Sequence, residues 1–203
     1  MDRVAAAVAA SGGGARVAAV VSVGDNFYGN GLANCDDPAF NHSFSAVYDG
    51  ASLRGLAWDV LLGNHDYRGD ISAQLDDCAH EWDGRWRASG RALGGRAVYA
   101  SPDGSVEVHV VFVDTNPLIS EYAFCPGRHV YDFDHPEVGG PTFGAPAYAA
   151  EYAAFRQRKL AEVGALLQEA ARSAWAARWW TLLSLSLIHI SEPTRRYAIS
   201  YAV

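Results

Sequence analysis

Two short apolar segments, each ending in a glycine and a cluster of polar side chains, constrain the fold of this chain most strongly. Residues 17–23 (VAAVVSV) run into Gly24, and residues 56–62 (LAWDVLL) run into Gly63. Apolar runs of this length bounded by turn residues are typical of buried strands. The interval between them has room for one crossover helix, which brings two strands together in parallel. The sequence therefore predicts a parallel strand pair within an α/β fold.

The remaining pattern alternates between helices and strands, which predicts a layered α/β architecture. Residues 117–146 are rich in Gly, Pro and aromatic residues and predict a long irregular loop. Four further helices are predicted: an Ala-rich helix over 1–11, a helix begun by Asp37 and Pro38 that carries Phe40, Phe44 and Val47, a helix capped by Asp70 that contains Ile71, Leu75 and Cys78, and an amphipathic helix over 148–173. The further predicted strands are a pair at 97–100 and 106–113 around a turn at 102–104, and a strand from 178 to 183.

Composition excludes some classes of function. The chain has 203 residues and a formal net charge of -7, and its basic residues form no cluster, which argues against nucleic acid as a partner. The longest apolar stretch, residues 179–190, is too short to span a bilayer, so no membrane partner is expected. No signal-peptide pattern follows Met1. Cys35, Cys78 and Cys125 have no CxxC spacing and leave open one disulfide with one free thiol.

The last residues match a sequencing adapter in translation. Residues 185–195 (LSLIHISEPTR) reverse-translate to a transposase adapter used in short-read libraries, and residues 199–203 (ISYAV) match the block that follows its barcode. A natural strand and turn would not explain a match across both blocks in one frame. We therefore predict a native domain over 1–184 and an adapter translation over 185–203, and His189 receives no role as a ligand.

The polar clusters after the two apolar segments are candidates for a functional site. Either one alone is most often a turn in which Asp or Asn bonds its own backbone. Together, with Asn64 lying 39 residues after Asp25, they favour a shared pocket, because loops at the carboxyl ends of parallel strands commonly build binding sites. Each glycine permits a tight turn that directs the next side chain into that pocket.

These motifs resemble those of a known family. Residues 24–28 (GDNFY) and 63–66 (GNHD) resemble the second and third metal motifs of the purple acid phosphatases, and most closely those of the small, tartrate-resistant type. The resemblance covers about residues 1–183. Related Ser/Thr phosphatases carry Gly-Asp-x-x-Asp-Arg in place of the Gly-Asp-x-x-Tyr of residues 24–28, so Tyr28 distinguishes the two branches. Further similar positions are 37–40 (DPAF), Phe44, Tyr48, 52–53 (SL), 67–70 (YRGD), 73–75 (AQL), 112–115 (FVDT) and 129–132 (HVYD).

The resemblance implies a role for each of four side chains. Asp25 would bridge two metal ions, Tyr28 would bind Fe(III) through its phenolate, and Asn64 would bind a second, divalent metal (Fe, Zn or Mn) through its amide oxygen. His65 would act outside the metal shell as a hydrogen-bond donor or general acid toward the phosphate or the leaving group. A bound metal pair would supply an activated nucleophile and neutralise the phosphate charge.

The resemblance also implies the fold and the partners. It implies a metallophosphatase-type β-sandwich of two mixed sheets flanked by helices, acting on a small phosphate ester or a phosphoprotein. Members of the family are usually secreted or vacuolar/lysosomal. One aspartate and three histidine ligands of the family are expected upstream of residue 1 and after residue 183. We therefore expect this chain to bind two metals weakly and to show little or no activity.

Alternatives remain beside this interpretation. Tyr28 could pack against Phe27, and His65 could cap a helix or lie on the surface. Asp66 is expected to be structural, and Asp114 is not assigned as a ligand. The chain could also be a non-catalytic short form that binds a partner through residues 117–146. A natural stop codon soon after residue 183 would favour this alternative. A phosphodiesterase of the same superfamily is a third hypothesis, against which Tyr28 and the acidic balance weigh.

Overall fold

The computed structural model describes residues 6–7, 10, 17–75, 77–88, 95–101, 103–124, 130–176, 179–186 and 201–202. The chain divides into two compact units, residues 1–89 with 188–203 and residues 90–187. Each unit contains one sheet. Of the helix predicted over residues 1–11, only Ala6, Ala7 and Ala10 are described, and these are helical.

The described residues form strands and helices in alternation, as predicted. The strands are β1 (Ala19–Ser22), β2 (Ala57–Val60), β3 (Trp86–Arg87), β4 (Gly95–Ala100), β5 (Glu107–Asp114), β6 (Trp179–Ser186) and β7 (Tyr201–Ala202). The α-helices are α1 (Ser72–Leu75), α2 (Asp77–Trp82), α3 (Ser120–Phe124) and α4 (Tyr148–Ala176). A π-helix spans Asn41–Ser45, and 3-10 helices span Asp66–Arg68 and Asn116–Leu118. None of the described helices combines the length and apolar character that a membrane crossing needs.

The first unit contains the predicted parallel strand pair. Strands β1 and β2 pair in parallel, with Ala19 opposite Ala57 and Ser22 opposite Val60. Strand β3 continues the sheet in parallel on β2, and β7 pairs antiparallel with β1, which gives the order β3-β2-β1-β7. Because β1 and β2 run in the same direction, the segments after Ser22 and Val60 leave the sheet at the same edge. The two polar clusters therefore lie side by side.

An aromatic cluster packs the first unit. Phe44 lies 4.9 Å from Trp86 and 5.1 Å from Trp58 between ring centroids, and Phe27 lies 5.9 Å from Phe40. Phe40 and Phe44 of the predicted helix are both buried. The prediction for Val47 is wrong, because the helix closes in the wider π form at Ser45 and leaves Val47 58% exposed in the following turn.

The helix predicted after Asp70 is divided. Asp70 caps it as expected, because its Oδ1 accepts the backbone N–H of Ser72 at 2.9 Å. Helix α1 ends at Leu75, however, and α2 forms a separate short helix. Cys78 in α2 forms a disulfide with Cys35, with a Cα–Cα distance of 5.8 Å. The pairing left open by the sequence is thereby assigned, while Cys125 lies outside the described residues.

The second unit contains the predicted hairpin. Strands β4 and β5 pair antiparallel around a turn that includes Asp103 and Gly104, and β6 adds in parallel to β5. Helix α4 covers this sheet, since Val163 packs against the buried Val111 and Val113 of β5. The predicted helix over 148–173 and strand over 178–183 are confirmed with small extensions. Both sheets contain parallel and antiparallel pairs, so the fold is α/β with mixed sheets.

The segment predicted to be an irregular loop contains short helices. Among the described residues of 117–146, the 3-10 turn and α3 are followed by irregular structure over residues 130–146. Tyr122 stacks on Tyr131 at 4.5 Å between ring centroids, and Phe133 is buried. Aromatic packing thus holds the described part of this segment against its own unit. The predicted boundary at residue 184 falls inside β6, which continues to Ser186.

The carboxylate of Asp66 joins the two polar clusters of the first unit. It is fully buried and accepts backbone N–H groups from Gly63 at 2.8 Å, Asn26 at 3.0 Å and Phe27 at 3.1 Å. Gln74 of α1 donates to it from Nε2 at 3.2 Å. Burial raises the pKa of Asp66 to about 7, and the charge of Asp25 adds to the rise while the three backbone donors oppose it. The sequence expectation of a structural role fits these contacts.

Two glycines allow the loops after β1 and β2 to touch. Gly24 has a φ of +112°, and a Cβ there would lie 2.7 Å from the Cα of Gly63. A Cβ at Gly63 would collide with the backbone nitrogen of Asp25. Only glycine fits both positions, so the close approach that brings Asp25 to the second loop depends on this pair.

Removing the Asp66 carboxylate should destabilise the fold. In Asp66→Ala, three backbone N–H groups lose a buried acceptor, and we expect the free energy of unfolding to fall by about 2–4 kcal/mol. Urea denaturation measures this change. Asp49→Ala is the matched control, because Asp49 forms an exposed ion pair with Arg54 at 2.9 Å whose loss is worth at most about 1 kcal/mol. Equal losses in the two variants would contradict the account.

The contribution of Asp66 should depend on pH with a definite sign. Its pKa is about 7 in the folded state against 3.8 for an unperturbed aspartate, so the native state binds more protons between these values. Stability then falls as pH rises through this window. We expect the stability difference between wild type and Asp66→Ala to shrink as pH rises from about 4 to 7. A difference that grows over the same range in urea titrations would contradict the assignment.

Reduction should destabilise the first unit. The disulfide closes a loop with a sequence separation of 43, which corresponds to about 4 kcal/mol in the chain-entropy treatment. We expect dithiothreitol to lower Tm, and Cys35→Ser to lower it equally while abolishing the effect of the reductant. Thiol titration of the unfolded, unreduced protein should find the single thiol of Cys125. A count of three thiols would exclude the Cys35–Cys78 pairing.

Candidate functional site

Asp25 lies at the centre of the candidate site. It follows Gly24 directly after β1, has a φ of +52° and is 8% exposed. A non-glycine residue in the left-handed region is uncommon and clusters at functional positions. Its Oδ1 accepts the backbone N–H of His65 at 3.0 Å, and its Oδ2 accepts the hydroxyl of Tyr28 at 2.9 Å. One carboxylate thus contacts both loops.

Tyr28 is directed at Asp25 and not into the core. Its side chain is 69% exposed, and its ring lies 4.7 Å from the ring of His65 between centroids. Phe27 points the opposite way and is buried against Trp86. The alternative that Tyr28 packs beside Phe27 is therefore wrong. An exposed phenol hydrogen-bonded to a carboxylate is an oxygen donor accessible from solvent.

Asn64 lies on the other side of Asp25 and is 1% exposed. Its side-chain amide stands between Asp25 and Arg68. The hydrogen-bond network assigns the amide nitrogen as donor to Asp25 Oδ1 at 3.2 Å and the amide oxygen as acceptor from Arg68 Nη2 at 2.8 Å. Both ends of this buried amide are therefore paired.

His65 is oriented by backbone and side-chain contacts. Its Nδ1 lies 2.5 Å from the carbonyl oxygen of Gly29, which assigns the ring proton to Nδ1 as donor. Arg68 Nη1 is 3.1 Å from Nδ1 and 3.3 Å from Nε2. His65 occupies the N-cap position of the 3-10 helix that follows, as one alternative had it, but its side chain makes no capping hydrogen bond.

The structure brings together all four side chains singled out in the sequence. Oxygen donors of Tyr28 and Asp25 lie within 2.9 Å of each other, and the Asn64 amide lies 3.2 Å from the same carboxylate. Carboxylate, phenol and amide oxygens are the donors that hard cations prefer. The donor types fit one end of a metal centre. Within the described residues, no cluster of three or more His, Cys, Asp or Glu side chains could hold a metal ion.

Sequence reasoning gave no role to four residues that support this arrangement. Arg68 contacts both Asn64 and His65, and the carbonyl of Gly29 orients His65. Asn26 and Gln74 bond the Asp66 carboxylate. A signal existed only for Arg68, which stands three and four residues after His65 and Asn64 and so shares one face of a helical turn with them. The contacts of the others depend on tertiary structure.

Asp114, another of the similar positions, belongs to the second unit. Asp114 ends β5 in the second unit, where its Oδ1 accepts the backbone N–H of Asn116 at 2.8 Å and its side-chain amide at 2.7 Å. This Asx-type bonding gives Asp114 a structural role in the turn after β5. His129 lies outside the described residues.

Comparison with known proteins gives a consistent set of relatives. The chain is 40% identical over 114 residues to "Purple acid phosphatase 3" of Arabidopsis thaliana, covering 56% of this chain and 28% of that protein. It is 45% identical over 114 residues to "Purple acid phosphatase 17" of the same plant, covering 56% and 31%. It is 34% identical over 99 residues to "Tartrate-resistant acid phosphatase type 5" of Homo sapiens, covering 49% and 29%.

Two other comparisons add nothing to these relatives. No family model matches the chain. The chain is also similar to a solved structure described as "GAP50 the anchor in the inner membrane complex of Plasmodium", at 22% sequence identity and a TM-score of 0.40. The match covers 52% of this chain and 34% of that one, and a similarity this low does not establish a shared fold. The chain spans about three tenths of the length of the curated relatives it matches. Over the half that aligns, the chain is similar to purple acid phosphatases of Arabidopsis thaliana and to a tartrate-resistant acid phosphatase of Homo sapiens.

Proposed function

We propose that the full-length protein to which this chain belongs hydrolyses phosphate monoesters. The observation that carries the proposal is the meeting of Asp25, Tyr28 and Asn64 at one point, beside an oriented His65. The relatives at 34–45% identity are named acid phosphatases, which supports the same chemistry. The sequence contains no basic cluster of the kind that would indicate nucleic acid as the substrate.

The ligand roles follow from the donor atoms. Asp25 has two carboxylate oxygens that face different neighbours, so it would bridge two ions. Tyr28 would bind Fe(III) through its phenolate, and Asn64 would hold a second, divalent metal such as Fe, Zn or Mn. When bound, such a pair would supply an activated nucleophile and neutralise the charge on phosphate. Further ligands would have to come from outside the described residues.

His65 would act as a hydrogen-bond donor or general acid toward the leaving group. The bond from Nδ1–H to the Gly29 carbonyl leaves Nε2 as the nitrogen that exchanges a proton with the substrate. A positioned histidine of this kind typically contributes about 10²–10⁴-fold to the rate. Tyr28 packs against the same ring and would limit its rotation. These contacts give His65 a fixed direction before any substrate arrives.

The proposal also covers the fold, the substrate and the cellular compartment of the full-length protein. The mixed sheets would form the two layers of a metallophosphatase-type sandwich flanked by helices, within a partial domain over residues 1–184. The substrate would be a small phosphate ester or a phosphoprotein. The Cys35–Cys78 disulfide supports an oxidising compartment, in line with a secreted or vacuolar/lysosomal location. Because the described ligands fall short of a dinuclear set, this chain alone would show little or no activity.

A second candidate function is partner binding by a non-catalytic form through residues 117–146. Three apolar side chains in this segment are exposed, which favours a contact surface: Phe124 by 49%, Val130 by 57% and Phe143 by 44%. This candidate requires a chain that lacks the remaining ligands. A phosphodiesterase of the same superfamily is the third candidate, and the phenol of Tyr28 at the carboxylate weighs against it.

The test uses the full-length gene product loaded with iron and zinc. We expect turnover of p-nitrophenyl phosphate and at least tenfold slower turnover of bis(p-nitrophenyl) phosphate, since a diester offers one fewer charged oxygen to a metal pair (about 1.4 kcal/mol). His65→Ala should lower kcat by about 100-fold without changing metal content. His42→Ala, at an exposed position in the π-helix, is the matched control.

Three outcomes would decide among the candidates. Full-length protein that binds metal and turns over neither ester would overturn the proposal. Faster cleavage of the diester would point to the phosphodiesterase. Equal effects of the His42 and His65 substitutions would remove His65 from the chemistry while leaving the metal site intact. The 203-residue chain should be inactive under the same conditions, and stoichiometric binding of two metals with turnover would contradict that expectation.

A further inference from the structure

We infer that Asn41 is a site of N-glycosylation. Asn41, His42 and Ser43 form the pattern Asn-x-Ser, in which the asparagine accepts an oligosaccharide when the middle residue is not proline. The inference is independent of the phosphatase chemistry. It shares with the proposed function only the passage of the full-length protein through a secretory compartment.

The sequence offers a single acceptor of this kind. The chain contains six asparagines, and Asn41 alone is followed two positions later by Ser or Thr. The corresponding positions after the other five are occupied by Tyr, Leu, Asp, Asp and Leu, for Asn26, Asn30, Asn34, Asn64 and Asn116 in turn. The pattern therefore assigns one residue and leaves the others as internal controls.

The structure places this acceptor on the outside of the first unit. Phe40 and Phe44 are buried in the aromatic cluster, whereas Asn41, His42 and Ser43 between them are all exposed. The three residues of the pattern thus lie on the solvent side of the turn. An oligosaccharide on Asn41 would extend into solvent without displacing a side chain of the core.

The surface beside Asn41 exposes apolar side chains. Trp82 contacts the ring of Phe40 at 5.9 Å between centroids and is 44% exposed, and Val47 follows the π-helix at 58% exposed. Exposed apolar side chains favour association between molecules. A bulky, solubilising oligosaccharide attached to the residue after Phe40 would oppose association through this surface.

The disulfide supports the compartment that this modification requires. The Cys35–Cys78 bond is of a kind that persists in oxidising compartments such as the endoplasmic reticulum lumen, which secreted proteins pass through. Asn-x-Ser patterns are modified in proteins that take this route. Asn41 lies between the two cysteines in the sequence, so the same segment would carry both modifications.

The transfer step balances without an oxidant or a reductant. The side-chain nitrogen of Asn41 forms a bond to the anomeric carbon of the first sugar. The bond from that carbon to the pyrophosphate oxygen of a lipid-linked oligosaccharide breaks, and the lipid pyrophosphate leaves with the electron pair. The amide nitrogen gives up one proton.

The local structure also sets the time of the transfer. Asn41 and Ser43 lie in the π-helix Asn41–Ser45, and side chains two positions apart in a helical turn do not face each other. A transferase that recognises both the amide of Asn41 and the hydroxyl of Ser43 must therefore act before this turn has formed. Modification accompanies synthesis and precedes folding.

The test uses the product of the complete gene, expressed in a eukaryotic host. After reduction, trypsin releases residues 17–54, a peptide that contains Asn41 and the three asparagines before it. Peptide-N-glycosidase treatment in heavy-oxygen water should convert Asn41 to a labelled aspartate. Fragmentation of the peptide in the mass spectrometer should place the label at Asn41 and not at Asn30 or Asn34.

Three substitutions separate the pattern from the surface position. Asn41→Gln and Ser43→Ala should each abolish the label and increase the electrophoretic mobility of the protein. Ser43→Ala retains the Asn41 side chain, so its effect reports recognition of the hydroxyl. His42→Ala is the matched control, because the middle position accepts any residue except proline and both readouts should stay as in wild type.

Each result bears on the inference in a definite way. A label at Asn41 that is lost in both Asn41→Gln and Ser43→Ala supports it. An unlabelled peptide from wild type, or a label that persists in Ser43→Ala, overturns it. Turnover of p-nitrophenyl phosphate is measured on the same metal-loaded preparations: a glycan without turnover overturns the proposed function alone, and turnover without a glycan overturns this inference alone.

Discussion

The arrangement of the first unit depends on one buried carboxylate that accepts hydrogen bonds from two loops. Asp66 receives backbone N–H groups from Asn26 and Phe27 after β1 and from Gly63 after β2. A buried carboxylate is costly unless its oxygens are bonded, so this interaction holds only while both loops keep their places. Burial raises the pKa of Asp66 to about 7, so the backbone hydrogen bonds offset only part of the desolvation cost of the carboxylate. The geometry of the candidate site follows from that constraint.

The same constraint explains how residues 39 positions apart act together. The glycine pair lets the loops touch, Asp66 fixes their relative position, and Asp25 then receives both the backbone of His65 and the hydroxyl of Tyr28. Asp25 holds a left-handed backbone conformation that the surrounding hydrogen bonds maintain. Stability and function are therefore coupled here, since a change that loosens the Asp66 contacts would also separate the proposed ligands.

Much of the fold and the position of the candidate site could be predicted from the sequence, and the features that could not be predicted have physical causes. The parallel strands, the hairpin and the long helix follow from local periodicity, and the site follows from two glycine-bounded motifs. Val47 was mispredicted because the helix closes in the π form, which no period of 3.6 indicates. Asn26 and Gln74 reach the Asp66 carboxylate only through tertiary contacts. The roles of Asp25, Tyr28, Asn64 and His65 remain proposals supported by geometry and by the relatives.

The central claim is that Asp25 would bridge an Fe(III) held by Tyr28 and a second metal held by Asn64, and iron binding to the full-length protein tests it most directly. Fe(III) titration should produce a visible phenolate-to-iron absorption band in wild type. Tyr28→Phe should bind iron without the band, while Tyr48→Phe, altered in the aromatic core against Trp58, should retain it. A band that survives in Tyr28→Phe, or iron bound to wild type with no visible band, would contradict the account.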